Sequence, residues 1–296
     1  MRIGSFELSE PLPELNDCHA IVMLSPWLDA GNVGSLTLER LEKCFDAQKL
    51  GEFLNPGEFF DFTRYRPTSR FTGGKRVLKI PNSRISYVCR EDQPDLIFCH
   101  ILEPHSFAEK YIDSLVRVLQ ALGVKRYCRI GAMYDSVPHT REIPVNVSIN
   151  GQWTSSTGQA RTQRRRSPYQ GPTTIMSLVG DRLEQQGVEN MTFMARLPQY
   201  LQLEDDFTGV ARMLNVLAMH YHLPFEFPES DMGLRQYKQV DAELERSDTA
   251  RDLVQRLESE YDDRVGTDSR QETLPLSPEV ERFLQGLGET NDGPRD

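Results

Sequence analysis

Asp95-Leu96-Ile97-Phe98-Cys99-His100-Ile101 is a near-continuous apolar run, the pattern of a strand covered on both faces. A helical stretch follows, with Phe107, Tyr111, Leu115, Val118 and Leu122 on one face and Gly123 placed to end it. Arg126 to Ala132 then reads as a further strand that passes through Gly131. Strand, helix and strand in succession make a βαβ unit, which implies neighbouring parallel strands.

The alternation continues in both directions. Cys18 to Leu24 reads as the first strand, and Ser25 to Asn32 as a turn. A helix follows from Val33, with Val33, Leu36, Leu41 and Phe45 on its apolar face. Downstream, Thr173 or Thr174 is placed to cap a helix carrying Ile175, Leu178, Val179 and Leu183, stopped by Gly187. Met191 to Arg196 reads as another buried strand and Phe207 to His220 as another helix. Three shorter readings complete the body. Glu58 to Phe62 alternates in part and suits a strand. Val77–Ile80 and Ile85–Val88 suit a hairpin around Pro81-Asn82-Ser83. Asn150 to Gln170 reads as a polar loop. The expected fold is a three-layer α/β/α sandwich with a mainly parallel sheet and a C-terminal helical appendage.

The chain has 296 residues, 38% hydrophobic and 26% charged, the profile of an ordinary globular protein. No stretch approaches the roughly 20 apolar residues of a membrane span. Met1 to Leu15 is acidic and holds two prolines, unlike a secretory signal; a cytoplasmic protein is expected. Cys18, Cys44, Cys89, Cys99 and Cys128 are odd in number and lack Cys-x-x-Cys spacing. Reduced thiols are expected, with Cys89, Cys99 and Cys128 buried in strands.

The net charge of −10 lies entirely in residues 226–296, which hold 19 acidic and 9 basic residues. That speaks against nucleic-acid binding by this segment. Residues 1–225 are expected to form the core domain and 226–265 an acidic helical appendage. Its stripe is Val240, Leu244, Leu253, Val254, Leu257 and Tyr261, with a break near Ser247. After Asp262 no stable structure is expected, apart from a short helix begun by Ser277-Pro278-Glu279-Val280. Phe283, Leu284 and Leu287 would be its apolar face. That helix could dock on the body, dock on a partner or stay loose.

Polar clusters follow several of the strands, at the sheet edge where open α/β proteins bind ligands. Trp27, Asp29 and Asn32 precede the first helix, whose N–H groups could receive a ligand or simply a cap. Glu58 would share a strand face with Phe60 and Phe62, and Arg64 or Arg66 could pair with it. His100, Glu103 and His105 match no strong metal spacing. Val137-Pro138-His139-Thr140-Arg141 joins a proton-transfer group, a hydroxyl and a guanidinium able to grip an anion. A polar network that fixes the loop is the competing reading. Gly171 and Thr173 precede a helix and form a small anion-ready nest, with Arg161 and Arg164-Arg165-Arg166 upstream. His139, Arg141, Asp29 and Thr173 are expected to line one crevice. Phosphate-loop, nucleophile-elbow, dinucleotide and zinc-protease motifs are all missing. No cofactor and no metal is expected.

Six ordered pieces carry a resemblance. They are Trp27-Leu28-Asp29-Ala30-Gly31; Glu58-Phe59-Phe60-Asp61-Phe62-Thr63 with Arg66-Pro67; Glu103-Pro104; Val137 to Arg141; Tyr169-Gln170-Gly171-Pro172-Thr173; and Pro198-Gln199-Tyr200. Through them, over about residues 18 to 262, the chain resembles the proteasome assembly chaperone 2 family in its bacterial and archaeal form. The resemblance implies an α/β/α sandwich like that of purine nucleoside phosphorylases. It also implies homo-oligomers, often trimers, and relatives that assist proteasome α-ring assembly without catalysis. The last residues, Gly293-Pro294-Arg295-Asp296, differ from the hydrophobic-Tyr-any tail of archaeal members, and Thr174 stands where close bacterial relatives carry Gly. Two functions follow as expectations. The first is a non-catalytic oligomeric assembly factor with a protein client or proteasome-related partner. The second is an enzyme acting on a small anionic, nucleoside- or peptide-like ligand.

Overall fold

The computed structural model describes residues 1–156, 161–166, 171–223 and 226–270. Strands are β1 (Arg2–Ile3), β2 (Phe6–Leu8), β3 (His19–Ser25), β4 (Gln48–Phe53), β5 (Thr68–Thr72), β6 (Lys75–Lys79), β7 (Arg84–Val88), β8 (Leu96–Leu102), β9 (Arg126–Asp135), β10 (Val145–Ile149), β11 (Gln152–Ser156), β12 (Arg161–Arg166) and β13 (Glu189–Pro198). Helices are α1 (Val33–Cys44), α2 (Ala108–Ala121), α3 (Ile175–Glu184), α4 (Phe207–Tyr221), α5 (Pro228–Leu244) and α6 (Asp248–Arg270).

Eleven strands form one sheet in the order β1-β2-β4-β7-β8-β3-β9-β13-β10-β11-β12. Its centre, β8-β3-β9-β13, is parallel, built from the apolar runs that set the expected fold. Antiparallel strands extend both edges. Side chains alternate between the faces, which splits the core in two. Ala20, Val22, Leu24, Ile97, Cys99 and Ile101 meet α2 and α3 through Tyr111, Leu115, Val118, Met176 and Val179. Ile21, Met23, Phe98, Ile130 and Phe193 meet α1, α4 and α5 through Leu38, Leu41, Val210, Leu214 and Tyr237. Helices therefore cover both faces.

Five local expectations are corrected. Glu58–Phe62 is not a strand. A 3-10 turn spans Pro56–Glu58, and the adjacent Phe59 and Phe60 both enter one core with Phe53 and Tyr111, which the pleat of a strand forbids. The strand of this region is the more polar β4 just before it. Val77–Ile80 and Ile85–Val88 do not pair with each other. β6 pairs with β5 across Gly73-Gly74, while β7 joins the main sheet between β4 and β8. Their φ values of +56° and +76° suit a glycine turn. Within the expected polar loop of 150–170, β11 and β12 continue the sheet outward from β10. α6 runs on past Asp262, where no stable structure was expected, to Arg270; the break at Ser247 lies between α5 and α6. The short helix expected after Ser277 lies outside the described residues. All five cysteines are free, but Cys89 is exposed rather than buried.

Candidate functional site

The loops after β3, β8, β9 and β13 leave the sheet at one rim. Two close approaches shape the first of them. Gly131 lets β9 pass the Leu28 carbonyl, where a Cβ would come within 2.4 Å, and Ala132 N–H donates to that carbonyl at 2.8 Å. Gly31, at φ +58°, turns its own carbonyl toward the Asp206 N–H at 2.9 Å.

One half of the rim is a connected polar network. Buried Asp29 accepts from Gly34 N (2.8 Å), Ser35 N (3.1 Å) and Ser35 Oγ (2.5 Å). It serves the first turn of α1, as a cap does, and burial raises its pKa against those bonds. Asn32 Nδ2 donates to Asp205 Oδ1 at 2.9 Å. Asp206 caps α4 through Gly209 N (2.8 Å) and accepts from Tyr237 of α5 at 3.0 Å; burial raises its pKa as well. The Tyr237 ring meets His139 edge-on, with centroids 5.8 Å apart.

His139 is 6% exposed. Its Nε2 lies 2.7 Å from Asp241 Oδ1 of α5, and its Nδ1 lies 2.5 Å from Tyr200 Oη. A carboxylate only accepts, so the Nε2 proton is assigned to the Asp241 bond. In the neutral ring Nδ1 then accepts the Tyr200 O–H, while the same oxygen accepts the His139 backbone N–H at 2.9 Å. Burial pushes the Tyr200 pKa up to about 12. The next two residues turn to α6. Thr140 Oγ1 donates to Glu258 (2.5 Å). Arg141 grips Asp262 with two bonds, at 3.0 and 2.9 Å, and reaches Glu258 at 3.0 Å. The Arg141 bond holds Asp262 below the ordinary carboxylate range, and the same bond raises the guanidinium pKa. Tyr261 Oη donates to the Glu142 carbonyl at 3.0 Å, and Leu257 beside it is buried.

The other half surrounds Glu103, after β8. Its N–H donates to the Ser25 carbonyl at 3.0 Å, and its own carbonyl accepts from Tyr65 Oη at 3.1 Å. Its side-chain Oε2 is buried without a hydrogen-bond partner, and burial raises its pKa. The Tyr65 and His105 rings are in tilted contact, centroids 4.7 Å apart. His105 Nδ1 accepts the Asp61 N–H at 3.1 Å. Glu58 does not sit on an aromatic face with Arg64 or Arg66; its Oε2 accepts from Lys110 at 2.6 Å. Arg64 is exposed and lies 4.0 Å from Asp61 Oδ2. Trp27 is 58% exposed.

His100 faces away from this group, bonded to Glu42 and Arg84 at 3.0 Å each. Gly171 and Thr173 are exposed and precede α3, in the opposite helical layer. Thr174 is the α3 cap, accepting from Ser177 N at 3.3 Å. Among the described residues no group of three or more His, Cys, Asp or Glu could hold a metal, and no helix is long and apolar enough to cross a membrane.

Sequence reading missed Asp205, Asp206, Tyr237, Asp241, Glu258 and Asp262. One signal was available: Glu258 and Asp262 are four apart and flank Leu257 and Tyr261 of the α6 stripe, so one helix face carries both the apolar contacts and the acids.

Fold and rim together define a class: a helix-covered α/β sheet whose C-terminal helices fold back on the loop after β9. The chain belongs to the PAC2 family, whose model matches residues 23–244. It is similar to the solved PAC2 family protein from Streptomyces avermitilis, at 25% identity over 80% of this chain and 100% of that one, with a TM-score of 0.68. A Mycobacterium tuberculosis protein of unknown function aligns at 21% identity over 92% and 93%, with a TM-score of 0.76. A proteasome-assembly chaperone homologue from the same organism aligns at 22% identity over 79% and 99%, with a TM-score of 0.67. No curated protein matches the chain.

Proposed function

We infer that the chain is a non-catalytic, homo-oligomeric assembly factor of the proteasome-assembly-chaperone kind. It works in the cytoplasm on a proteasome-related protein client, with three copies the expected assembly. Membership of the PAC2 family supports this reading, as does the likeness to a relative described as a proteasome-assembly chaperone homologue. One observation carries it. The groups with which the rim would grip a small anion are held by the chain's own carboxylates: His139 by Asp241, Thr140 by Glu258, Arg141 by Glu258 and Asp262. A catalytic site keeps such donors aimed at the substrate, whereas here a ligand must first displace a bidentate ion pair.

The test mixes the purified chain with purified proteasome α-type subunits and follows complexes and ring formation by native mass spectrometry. A discrete complex and faster ring formation are expected. The reading fails if no complex forms at any ratio.

A second reading, an enzyme for a small anionic ligand, has one observation in its favour. Glu103 holds a buried, unpartnered carboxyl oxygen beside Tyr65 and near the chain of Ser25. Burial raises its pKa, and in its protonated form the acid would offer an O–H to a ligand oxygen. Thermal-shift screening against nucleosides, nucleotides and acidic dipeptides tests it, because a binder in excess raises stability. A shift abolished by Glu103→Gln would favour this reading over the first.

A further inference from the structure

The segment from Arg64 to Lys79 differs from everything around it. Between Asp61 and Glu91 the sequence carries eight Arg or Lys and no acid. β5 and β6 form a two-stranded sheet of their own, and all ten of their residues are exposed. A lone hairpin is marginally stable in water, and this one rests no strand residue in the core.

Its register makes it two-faced. Phe71 lies opposite Arg76 and Ser69 opposite Leu78, while Arg70 lies opposite Val77, Thr68 opposite Lys79 and Thr72 opposite Lys75. Cross-strand partners share a face and neighbours alternate. One face therefore presents Phe71 and Leu78, 78% and 56% exposed, with Arg76 tied sideways to Ser69 at 2.8 Å. The other presents Arg70, Lys75 and Lys79 around Val77. Exposed apolar groups framed by charge mark an interaction surface.

Charge identifies the occupant. The chain carries −10, and six positive charges lie between Arg64 and Lys79, which leaves −16 on the remainder. The acidity is concentrated in residues 226–296, with 19 acidic and 9 basic residues. On α5 and α6 up to Asp263, eight exposed acids, Asp231, Glu243 and Asp252 among them, outnumber four exposed bases, Arg235, Lys238, Arg251 and Arg256, and Leu234 is 57% exposed. A second copy thus offers both the opposite charge and an apolar contact.

We propose that the β5–β6 hairpin is an arm that docks on the acidic outer face of α5 and α6 of a second copy of this chain. The proposal rests on the oligomeric reading above and names its interface. Arm and receptor are different surfaces, so the contact is either exchanged reciprocally between two copies or repeated head to tail around a ring, and the size of the oligomer tells the two apart. Its ionic half weakens with added salt.

Light scattering coupled to size exclusion tests this on the full chain, on Phe71→Asp with Leu78→Asp, and on Arg70→Glu with Lys75→Glu and Lys79→Glu. The wild type is expected as an oligomer and the apolar pair variant as a monomer. The charge variant is expected to dissociate at a concentration at least ten times higher than the wild type. All these side chains are exposed, so circular dichroism should give an unchanged spectrum for each. As a check independent of the variants, carbodiimide cross-linking of mixed light and heavy-isotope wild-type chains should join Lys75 or Lys79 of one copy to α5 or α6 carboxylates of another. An oligomer of unchanged size in both variants, with no such cross-link, overturns the arm and leaves the oligomeric reading standing. A wild type that is monomeric at every concentration overturns both.

Discussion

The two halves of the rim solve the same problem in opposite ways. His139, Thr140 and Arg141 are all paired, with Tyr200 of the loop after β13 and with acids of α5 and α6 more than a hundred residues away in sequence. Around Glu103 a carboxyl oxygen is buried with no partner, and Trp27 stands exposed. The two halves therefore respond oppositely to loss of a polar group. Where a network is complete, removing a member orphans its neighbours; where a group is already orphaned, removing its charge relieves a cost.

His139→Ala should give the largest effect. It takes the acceptor from the Tyr200 hydroxyl and the edge-on ring from Tyr237, and should cost about 2–3 kcal/mol in urea unfolding. A loss below about 0.5 kcal/mol, the range of ordinary surface changes, would break the contrast. Glu103→Gln should act in the other direction, stabilising by about 1 kcal/mol at pH 7, because the half-buried charge disappears while the shape remains.

pH sharpens the comparison. Asp262 sits below its ordinary value because Arg141 donates to it. Its tie to the loop is therefore full above about pH 4, the unfolded-state value, and is lost as pH falls through the folded-state value. Glu103 sits above its ordinary value because it is buried. Its favourable contribution is full below about pH 4.3 and is lost as pH rises through its folded-state value. The gain from Glu103→Gln should thus vanish in acid, where the destabilisation by Arg141→Ala also vanishes but with the opposite sign. Unfolding of both variants across pH 3–8 (a range set by those ordinary values) checks this. The smallest effect belongs to Arg64→Ala. That side chain is exposed and 4.0 Å from Asp61, and its loss should stay within about 0.5 kcal/mol.

The sheet centre was legible because β3, β8, β9 and β13 are apolar runs bounded by turns, and burial on both faces leaves that mark in sequence. β4 was not, because Gln48, Lys49 and Glu52 are polar on a strand that needs only Leu50 and Phe53 in the core. Phe59 and Phe60 misled for the converse reason: two core aromatics side by side resemble a strand until tertiary packing shows both facing the same way. The hairpin partner was available in Thr72-Gly73-Gly74-Lys75, a glycine turn, but Pro81-Asn82-Ser83 offered a rival. At the site, the loop residues His139, Thr140 and Arg141 were legible as a cluster, and a loop-fixing network was one of their two readings. Their partners were not, because Asp241, Glu258 and Asp262 look like any solvated acids on charged helices until the fold brings those helices back.

Hydrogen exchange over Leu253–Asp262 tests most directly the claim that α6 is fastened to the loop after β9. At neutral pH the wild type should protect these amides, and Arg141→Ala should speed their exchange while β3, β8 and β9 stay protected. Free exchange of this helix in the wild type, or no change in the variant, would contradict the account.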